Sequence, residues 1–132
     1  MSHDIAILGI FAADTAYRAP RMPDLGETIL GESFALNPGG KGSNQSVAAA
    51  RAGGRVAFLS KIGRDTFGAL ARSTWDTSGV AFAGEVTDDA PTGAAFIYVD
   101  SASGDNAIIV APGAAGTISP ADIEGWANTI RS

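Results

Sequence analysis

Apolar residues occur in short runs separated by glycine and proline, and the length of these runs predicts strands. Residues 5–10 and residues 55–62 contain the apolar centres that are typical of parallel strands buried on both faces. Residues 80–86 form a weaker run of the same kind. Residues 27–36 also predict a strand, in which Gly31 interrupts the alternation and indicates a bulge or a turn.

Three further segments predict helices, and they cover residues 43–52, 66–78 and 119–131. Asp65 precedes the second segment as a helix cap. Gly53 and Gly79 follow the first two segments at the positions where helices end. Pro120 stands in the first turn of the last segment, where proline is well tolerated.

The order of these segments predicts the fold class. Residues 92–99 and 106–110 predict a hairpin, because turn-forming residues separate two strand-like runs. Residues 17–24 contain two prolines and predict an irregular loop. A helix between two apolar strands is typical of a parallel crossover, so we expect an α/β fold with a mostly parallel sheet. The 132 residues suffice for one domain and show no internal repeat.

The segment 37–46, Asn-Pro-Gly-Gly-Lys-Gly-Ser-Asn-Gln-Ser, holds the densest cluster of residues suited to ligand binding. Glycine lets the backbone approach a ligand closely, and a helix that begins here offers unpaired N–H groups. Lys41 and Asn44 add side-chain donors. In a Walker A loop the lysine precedes serine or threonine, whereas Lys41 precedes Gly42. The segment therefore predicts a small-molecule site of another kind.

Composition narrows the possible chemistry. Nine Lys and Arg residues stand against 14 Asp and Glu, and the net charge of −5 argues against a nucleic-acid partner. The single histidine, His3, argues against a histidine base or metal cluster, and the absence of cysteine excludes disulfides and thiolate zinc sites. No apolar run reaches the roughly 18 residues of a membrane span, and no signal-peptide pattern is visible. We therefore expect a cytoplasmic protein without a membrane partner.

An ordered set of motifs resembles the ribokinase family, the PfkB-type carbohydrate kinases. The glycine-rich segment has the pattern Gly-Gly-x-Gly-x-Asn-x-Ser at residues 39–46, with Gly53 and Gly63 at the family's spacing. A Gly-x-x-x-Ala-Asp motif ends the first predicted strand. The remaining motifs lie at residues 26–28, 63–68, 92–96 and 112–120. The resemblance covers essentially the whole chain, from residue 5 to the last residue.

The resemblance implies a base of mostly parallel strands flanked by helices and a small β-sheet lid over a sugar site. The chain, residues 1–132, would be the N-terminal part of such a domain, with lid strands near residues 27–36, 92–99 and 106–110. In this family the lid also dimerises, so the resemblance implies a homodimer through the lid strands. The residues that it assigns to the sugar are Asp14, Gly39, Gly40, Lys41, Asn44, Ala95 and Ile108.

Several of these residues also have plainer interpretations. Asp14 could be a turn residue, Lys41 a solvated loop residue and Asn44 a helix cap. For Asp65 we favour the plainer interpretation, a helix cap. The two tryptophans lie on apolar stripes and are expected in the core.

The second signature of the family, a Gly-Ala-Gly-Asp stretch, is not found in this sequence. In the family that part carries the general base, the anion hole, the ATP pocket, the Mg²⁺-associated acidic motif and the monovalent-cation loop. The resemblance thus implies ATP, Mg²⁺ and a monovalent cation for a complete enzyme that phosphorylates the 5-hydroxyl of ribose. In-line transfer needs a base and donors around the developing charge, so we expect the chain alone to bind none of these cofactors and to be inactive.

Three hypotheses remain open from the sequence. The chain is the sugar-binding portion of a longer kinase, a short non-catalytic module for sugar binding or lid dimerisation, or one half of an enzyme assembled from two chains. The downstream reading frame distinguishes them most directly. For the substrate, ribose fits the motif best, and a fructose-like sugar or a nucleoside stays an alternative.

Overall fold

The computed structural model describes residues 3–131 of the chain. Its base sheet consists of β1 (Ile5–Leu8), β4 (Val56–Leu59) and β6 (Ala81–Phe82), all parallel and in the order β1-β4-β6. Two helices, α1 (Lys41–Arg51) and α2 (Thr66–Ser78), lie between these strands in the chain. This arrangement confirms the predicted α/β class.

A second sheet, the lid sheet, has four strands. They are β2 (Ala12–Ala19), β3 (Ser33–Gly39), β8 (Ala94–Asp100) and β9 (Asn106–Ala111), in the order β3-β2-β8-β9. β2 and β8 are parallel, whereas the two outer pairs are antiparallel. The chain crosses between the two sheets three times, from β1 to β2, from β3 to β4 and from β6 to β8. The hairpin predicted from residues 92–99 and 106–110 is present as β8 and β9.

The other strands differ from the sequence prediction in informative ways. The prediction of a loop from residue 17 was wrong up to Ala19, because β2 runs through it and pairs on both sides with β3 and β8. The strand predicted over residues 27–36 begins only at Ser33, since Glu27 closes a loop through an ion pair with Arg21.

Two predicted strands are also interrupted in the structure. The strand expected over residues 55–62 is divided at Ser60 into β4 and β5 (Lys61–Gly63). The strand expected over residues 80–86 is likewise divided, into β6 and β7 (Glu85–Thr87). β5 and β7 form a separate parallel pair.

The helix ends agree with the caps that the sequence predicts. Asp65 caps α2 by accepting a 2.8 Å hydrogen bond from the backbone N–H of Gly68, and Gly79 ends that helix in the left-handed conformation. The last helix is divided at Trp126 into α3 (Pro120–Gly125) and α4 (Ala127–Arg131), so the prediction of one continuous helix was wrong. None of the helices within residues 3–131 combines the length and apolar character needed to cross a bilayer.

The core is built around Trp75 of α2. Its ring packs edge-on against Phe11 and Phe58 and stacks on Phe82, with centroids 4.7 Å apart in the last pair. Its indole N–H donates a 3.0 Å hydrogen bond to the hydroxyl of Ser43, which is buried in α1. Trp75 therefore confirms the core prediction, whereas Trp126 is only half-buried.

Candidate ligand-binding site

A cavity of about 650 Å³ lies between the base sheet and the lid sheet. Its base wall is formed by the end of β1 and the start of α1, and the residues are Leu8, Gly9, Ile10, Gly40, Lys41, Gly42, Asn44 and Gln45. Its lid wall is formed by β2, β8 and β9, and the residues are Ala12, Asp14, Ala95, Ile97, Ile108 and Val110. The volume is in the usual range of small-molecule sites, about 300–1,000 Å³.

Glycine allows the start of α1 to lie directly against the end of β1. A Cβ atom on Gly42 would come within 2.9 Å of the Cα atom of Gly9. Gly40 has φ +94°, and a side chain there would also collide with the carbonyl oxygen of Ile10. Because Gly40 is the N-cap residue, no side chain caps α1. Among the N–H groups of the first turn, that of Ser43 donates to the carbonyl oxygen of Ile10 at 3.4 Å, and the others can point, with the positive dipole end, toward a ligand in the cavity.

Asp14 supplies the carboxylate of the site. It lies within β2, opposite Asn37 of β3 and Ala95 of β8, rather than in a turn after the first strand as its sequence position indicated. Gly39 leaves room for it, because a Cβ atom on Gly39 would collide with the carboxyl group. Within residues 3–131 no group donates a hydrogen bond to this carboxylate, and partial burial raises its pKa. A partly buried acceptor without a partner is suited to accepting hydrogen bonds from a ligand.

Lys41 and Asn44 lie in the first turns of α1 on the opposite wall of the cavity. Both residues are exposed, and neither side chain has a hydrogen-bond partner among the described residues. An ammonium group offers three donors, and an amide offers donors and an acceptor. The cavity thus has an acidic acceptor on the lid and polar donors on the base.

The structure brings six of the seven predicted site residues to this cavity, and the seventh, Gly39, lies directly behind Asp14. The sequence analysis missed several lining residues. Ile97 and Val110 follow Ala95 and Ile108 by two positions, so the two-residue period of strands could have found them. The missed residues at the end of β1 had no such signal, because only the tertiary fold brings them to α1.

Asp65 is the second carboxylate with a distinctive environment. Its Oδ1 accepts hydrogen bonds from the Thr92 hydroxyl at 2.6 Å and from the Gly68 N–H at 2.8 Å, and its Oδ2 accepts from the Thr92 N–H at 2.8 Å. Burial alone would raise the pKa of Asp65, but the three hydrogen bonds outweigh burial and hold this pKa below its usual range. Asp65 is a cap, as predicted, and it also binds the segment that leads into β8.

A cavity of small-molecule size between an α/β base and a β-sheet lid, with a glycine-rich helix start on one wall, is typical of ribokinase-like folds. The model of the pfkB family of carbohydrate kinases matches residues 2–129. The chain therefore belongs to the pfkB family of carbohydrate kinases, as its motifs predicted.

Individual relatives agree with this assignment. The chain is 39 % identical to a ribokinase of Bacillus subtilis over 120 residues, which cover 89 % of the chain and 40 % of the relative. A ribokinase structure from Giardia lamblia superposes with a TM-score of 0.85 at 33 % identity, over 98 % of the chain and 39 % of that structure.

A structure of Arabidopsis thaliana ribokinase complexed with ribose and ATP superposes with a TM-score of 0.81 at 30 % identity, over 94 % of the chain and 42 % of that structure. The chain thus spans about 40 % of the length of the curated relative from Bacillus subtilis.

Proposed function

We propose that this chain is the sugar-binding N-terminal portion of an ATP-dependent carbohydrate kinase that phosphorylates the 5-hydroxyl of ribose. The observation that carries the proposal is the cavity in which Asp14 on the lid faces Lys41 and Asn44 on the base. A sugar hydroxyl is both a donor and an acceptor, and each one must be paired when it loses water. Asp14 would accept from such hydroxyls, while Lys41 and Asn44 would donate to them.

The apolar part of the lid wall completes this proposed sugar site. Four aliphatic side chains would cover the C–H face of a sugar ring, and they belong to Ala95, Ile97, Ile108 and Val110. No aromatic side chain lines the cavity within the described residues. Nucleobases are commonly recognised by stacking on aromatic side chains, so this lining favours a free sugar over a nucleoside.

The phosphoryl donor and its ions belong to the complete enzyme in this proposal. The structure of the Arabidopsis ribokinase is a complex with ribose and ATP. Mg²⁺ and a monovalent cation are proposed from the family resemblance, and residues 3–131 contain no cluster of three His, Cys, Asp or Glu side chains that could hold a metal ion. The chain alone would bind sugar without transferring phosphate, because the general base and the anion hole are expected outside it.

We also propose a homodimer through the lid. The lid face that points away from the cavity carries exposed apolar side chains in neighbouring strands, and they include Tyr17, Phe34 and Ile109. An apolar patch of this kind typically marks a protein–protein interface. Ile109→Lys should shift a dimer to monomer in sedimentation experiments, and an unchanged dimer would contradict this interface. The cytoplasmic location stays a prediction.

Calorimetric titration of the chain with D-ribose tests the sugar site. Asp14→Ala should weaken ribose binding about 10- to 100-fold, because it removes a charged acceptor from a partly buried site. Asp105→Asn, in the exposed turn between β8 and β9, is the matched control and should bind as the unmodified chain does. D-fructose and adenosine, titrated in parallel, test the alternative substrates.

Equal ribose affinity in Asp14→Ala, or no ribose binding by the unmodified chain, would contradict the proposal. Tighter binding of adenosine than of ribose would replace the sugar with a nucleoside. Phosphorylation of ribose from ATP by this chain alone would show that the catalytic groups are not outside it. Failure of all three ligands to bind would favour a module for lid dimerisation.

A further inference from the structure

The segment that leads from the base into lid strand β8, residues 91–93, is tied to several elements at once, and we call it the lid junction. On the base side it contacts Asp65, which caps α2. The Thr92 hydroxyl donates to Asp65 and also accepts a 2.8 Å hydrogen bond from the backbone N–H of Gly63, at the end of β5. Thr92 is only 5 % exposed, so these bonds are shielded from water.

On the lid side, the two outer residues of the lid junction bind neighbouring segments. The carbonyl oxygen of Gly93 accepts a 2.9 Å hydrogen bond from the N–H of Ala13 in β2. The carbonyl oxygen of Pro91 accepts a 2.7 Å hydrogen bond from the N–H of Ala114, just beyond the end of β9. The lid junction therefore connects the base to β8, to β2 and to the turn that follows β9.

The position of the lid junction affects both the apolar and the acidic side chains on the lid wall of the cavity. Ala95 follows Thr92 by three residues and lines the cavity. Asp14 pairs with Ala95 in the parallel register of β2 and β8, so a shift of β8 would also shift Asp14. A displacement of Thr92 would thus change the spacing between the Asp14 carboxylate and the start of α1.

We propose that Asp65 is a positioning residue that holds the lid sheet on the base sheet through Thr92 and thereby sets the width of the ligand cavity. A helix cap alone needs one acceptor oxygen for the Gly68 N–H. Asp65 uses its second oxygen for the Thr92 N–H, which lies outside the helix. The role in positioning stands on the geometry, and only its expected effect on sugar affinity depends on the proposed function.

Substitutions can separate the cap from the connection to the lid. Asp65→Asn keeps one acceptor oxygen, which suffices for a cap, but replaces the other oxygen with an NH₂ group that cannot accept from Thr92. Thr92→Val removes the hydroxyl at nearly constant shape, and Thr92→Ser restores it. Thr74→Val is the matched control, because the Thr74 hydroxyl bonds only within α2, to the carbonyl oxygen of Leu70 at 2.8 Å.

Amide hydrogen exchange of the chain without ligand is the first measurement. In Asp65→Asn and Thr92→Val we expect exchange in β8 and β9 to become about tenfold faster, while exchange in α2 changes less than about twofold. Thr92→Ser should approach the unmodified chain, and Thr74→Val should leave β8 and β9 unchanged. D-ribose affinity, measured by calorimetry, should fall in parallel with the loss of protection in the lid.

Equal loss of protection in α2 and in the lid would overturn the proposal, since it would show that Asp65 acts only as a cap. Unchanged protection in β8 and β9 would also overturn it. If Asp65→Asn does not fold, the comparison of Thr92→Val with Thr92→Ser still shows whether the bond between Asp65 and Thr92 protects the lid. Absence of ribose binding in the unmodified chain would overturn the proposed function, whereas the exchange pattern would still decide the role of Asp65.

Discussion

β1 and β4 lie side by side in the base sheet, and both are runs of four apolar residues. They differ in burial, because β4 is covered on both faces and β1 is largely exposed to solvent. The sequences are Ile-Ala-Ile-Leu in β1 and Val-Ala-Phe-Leu in β4, and Leu8 pairs with Leu59 in register. All four residues of β4 are buried, whereas three of the four residues of β1 are exposed. Leu8 is 46 % exposed and Leu59 is 0 % exposed.

The difference follows from the position of each strand. β4 has a strand on either side, and its Phe58 packs against Trp75 of α2. β1 is one of the two edge strands of the base sheet, although its unbroken apolar run is typical of a central parallel strand. An exposed apolar edge strand is unusual in a globular domain, because its unpaired backbone groups can pair with another chain. The composition of β1 therefore agrees with a chain that spans about 40 % of the length of a related ribokinase.

The largest expected effect is on stability, and it contrasts the two paired leucines directly. Leu59→Ala should lower the free energy of unfolding by about 2–5 kcal/mol, because it leaves a cavity beside a fully buried strand. Leu8→Ala should cost less than about 1 kcal/mol, since its side chain keeps much of its contact with water. Urea denaturation followed by tryptophan fluorescence measures both values.

Equal losses in the free energy of unfolding for the two substitutions would contradict the contrast between β1 and β4. A large cost for Leu8→Ala would mean that β1 is covered in solution, either by a second copy of the chain or by an arrangement of the base sheet different from the one described.

A smaller effect is expected on association. The exposed edge of β1 should promote assembly beyond a dimer, and Leu8→Lys should weaken that assembly about tenfold, because an edge lysine opposes strand addition. Sedimentation velocity over a range of concentrations measures the change. Leu25→Lys is the control, because Leu25 is fully exposed but lies outside every sheet. Equal effects of the two lysines would show that general surface hydrophobicity causes the assembly.

The smallest effect is expected on the melting temperature at acid pH. β1 is preceded by Asp4, which forms an exposed ion pair with Arg55, whereas β5, the continuation of β4, leads to Asp65. The hydrogen bond from Arg55 lowers the pKa of Asp4, and hydrogen bonds from Thr92 and Gly68 outweigh burial to lower the pKa of Asp65.

A depressed carboxyl pKa contributes stability above the unfolded pKa, near 3.8, and this contribution is lost as pH falls through the lower folded pKa. Melting temperatures of the unmodified chain should therefore decline below about pH 4. Asp65→Asn should make that decline shallower, whereas Asp4→Asn should change it little, because water screens its exposed ion pair. A larger change of the acid decline in Asp4→Asn than in Asp65→Asn would contradict this prediction.

Local signals predicted the parts of the molecule that short-range physics controls. The cap at Asp65, the left-handed Gly79 and the hairpin of β8 and β9 all agree with the structure. β2 could not be found in this way, because its sequence Ala-Ala-Asp-Thr-Ala-Tyr-Arg-Ala has one β-branched residue and no apolar run. Its strand conformation depends on pairing with β3 and β8, which are distant in the sequence.

The candidate site shows the same division. The motifs indicated Lys41 and Asn44 as donors beside a glycine-rich turn, and the structure places both at the start of α1. The motifs also selected Asp14, but its place in a lid strand, with Gly39 leaving room for its carboxyl group, depends on the register of β2 and β3. In that register Asp14 pairs with Asn37, which lies 23 positions later in the sequence.

By itself, the sequence determined the fold class and the glycine-rich helix start, because these depend on local spacing, and its resemblance to the family indicated the residues of the proposed sugar site. Only the tertiary structure decided that β1 is an exposed edge and β4 a buried centre, since similar apolar runs carry no information about how many neighbours each strand will have. It also decided that Asp65 binds Thr92 of the lid junction, because hydrogen bonds between distant segments exist only after the sheets have packed.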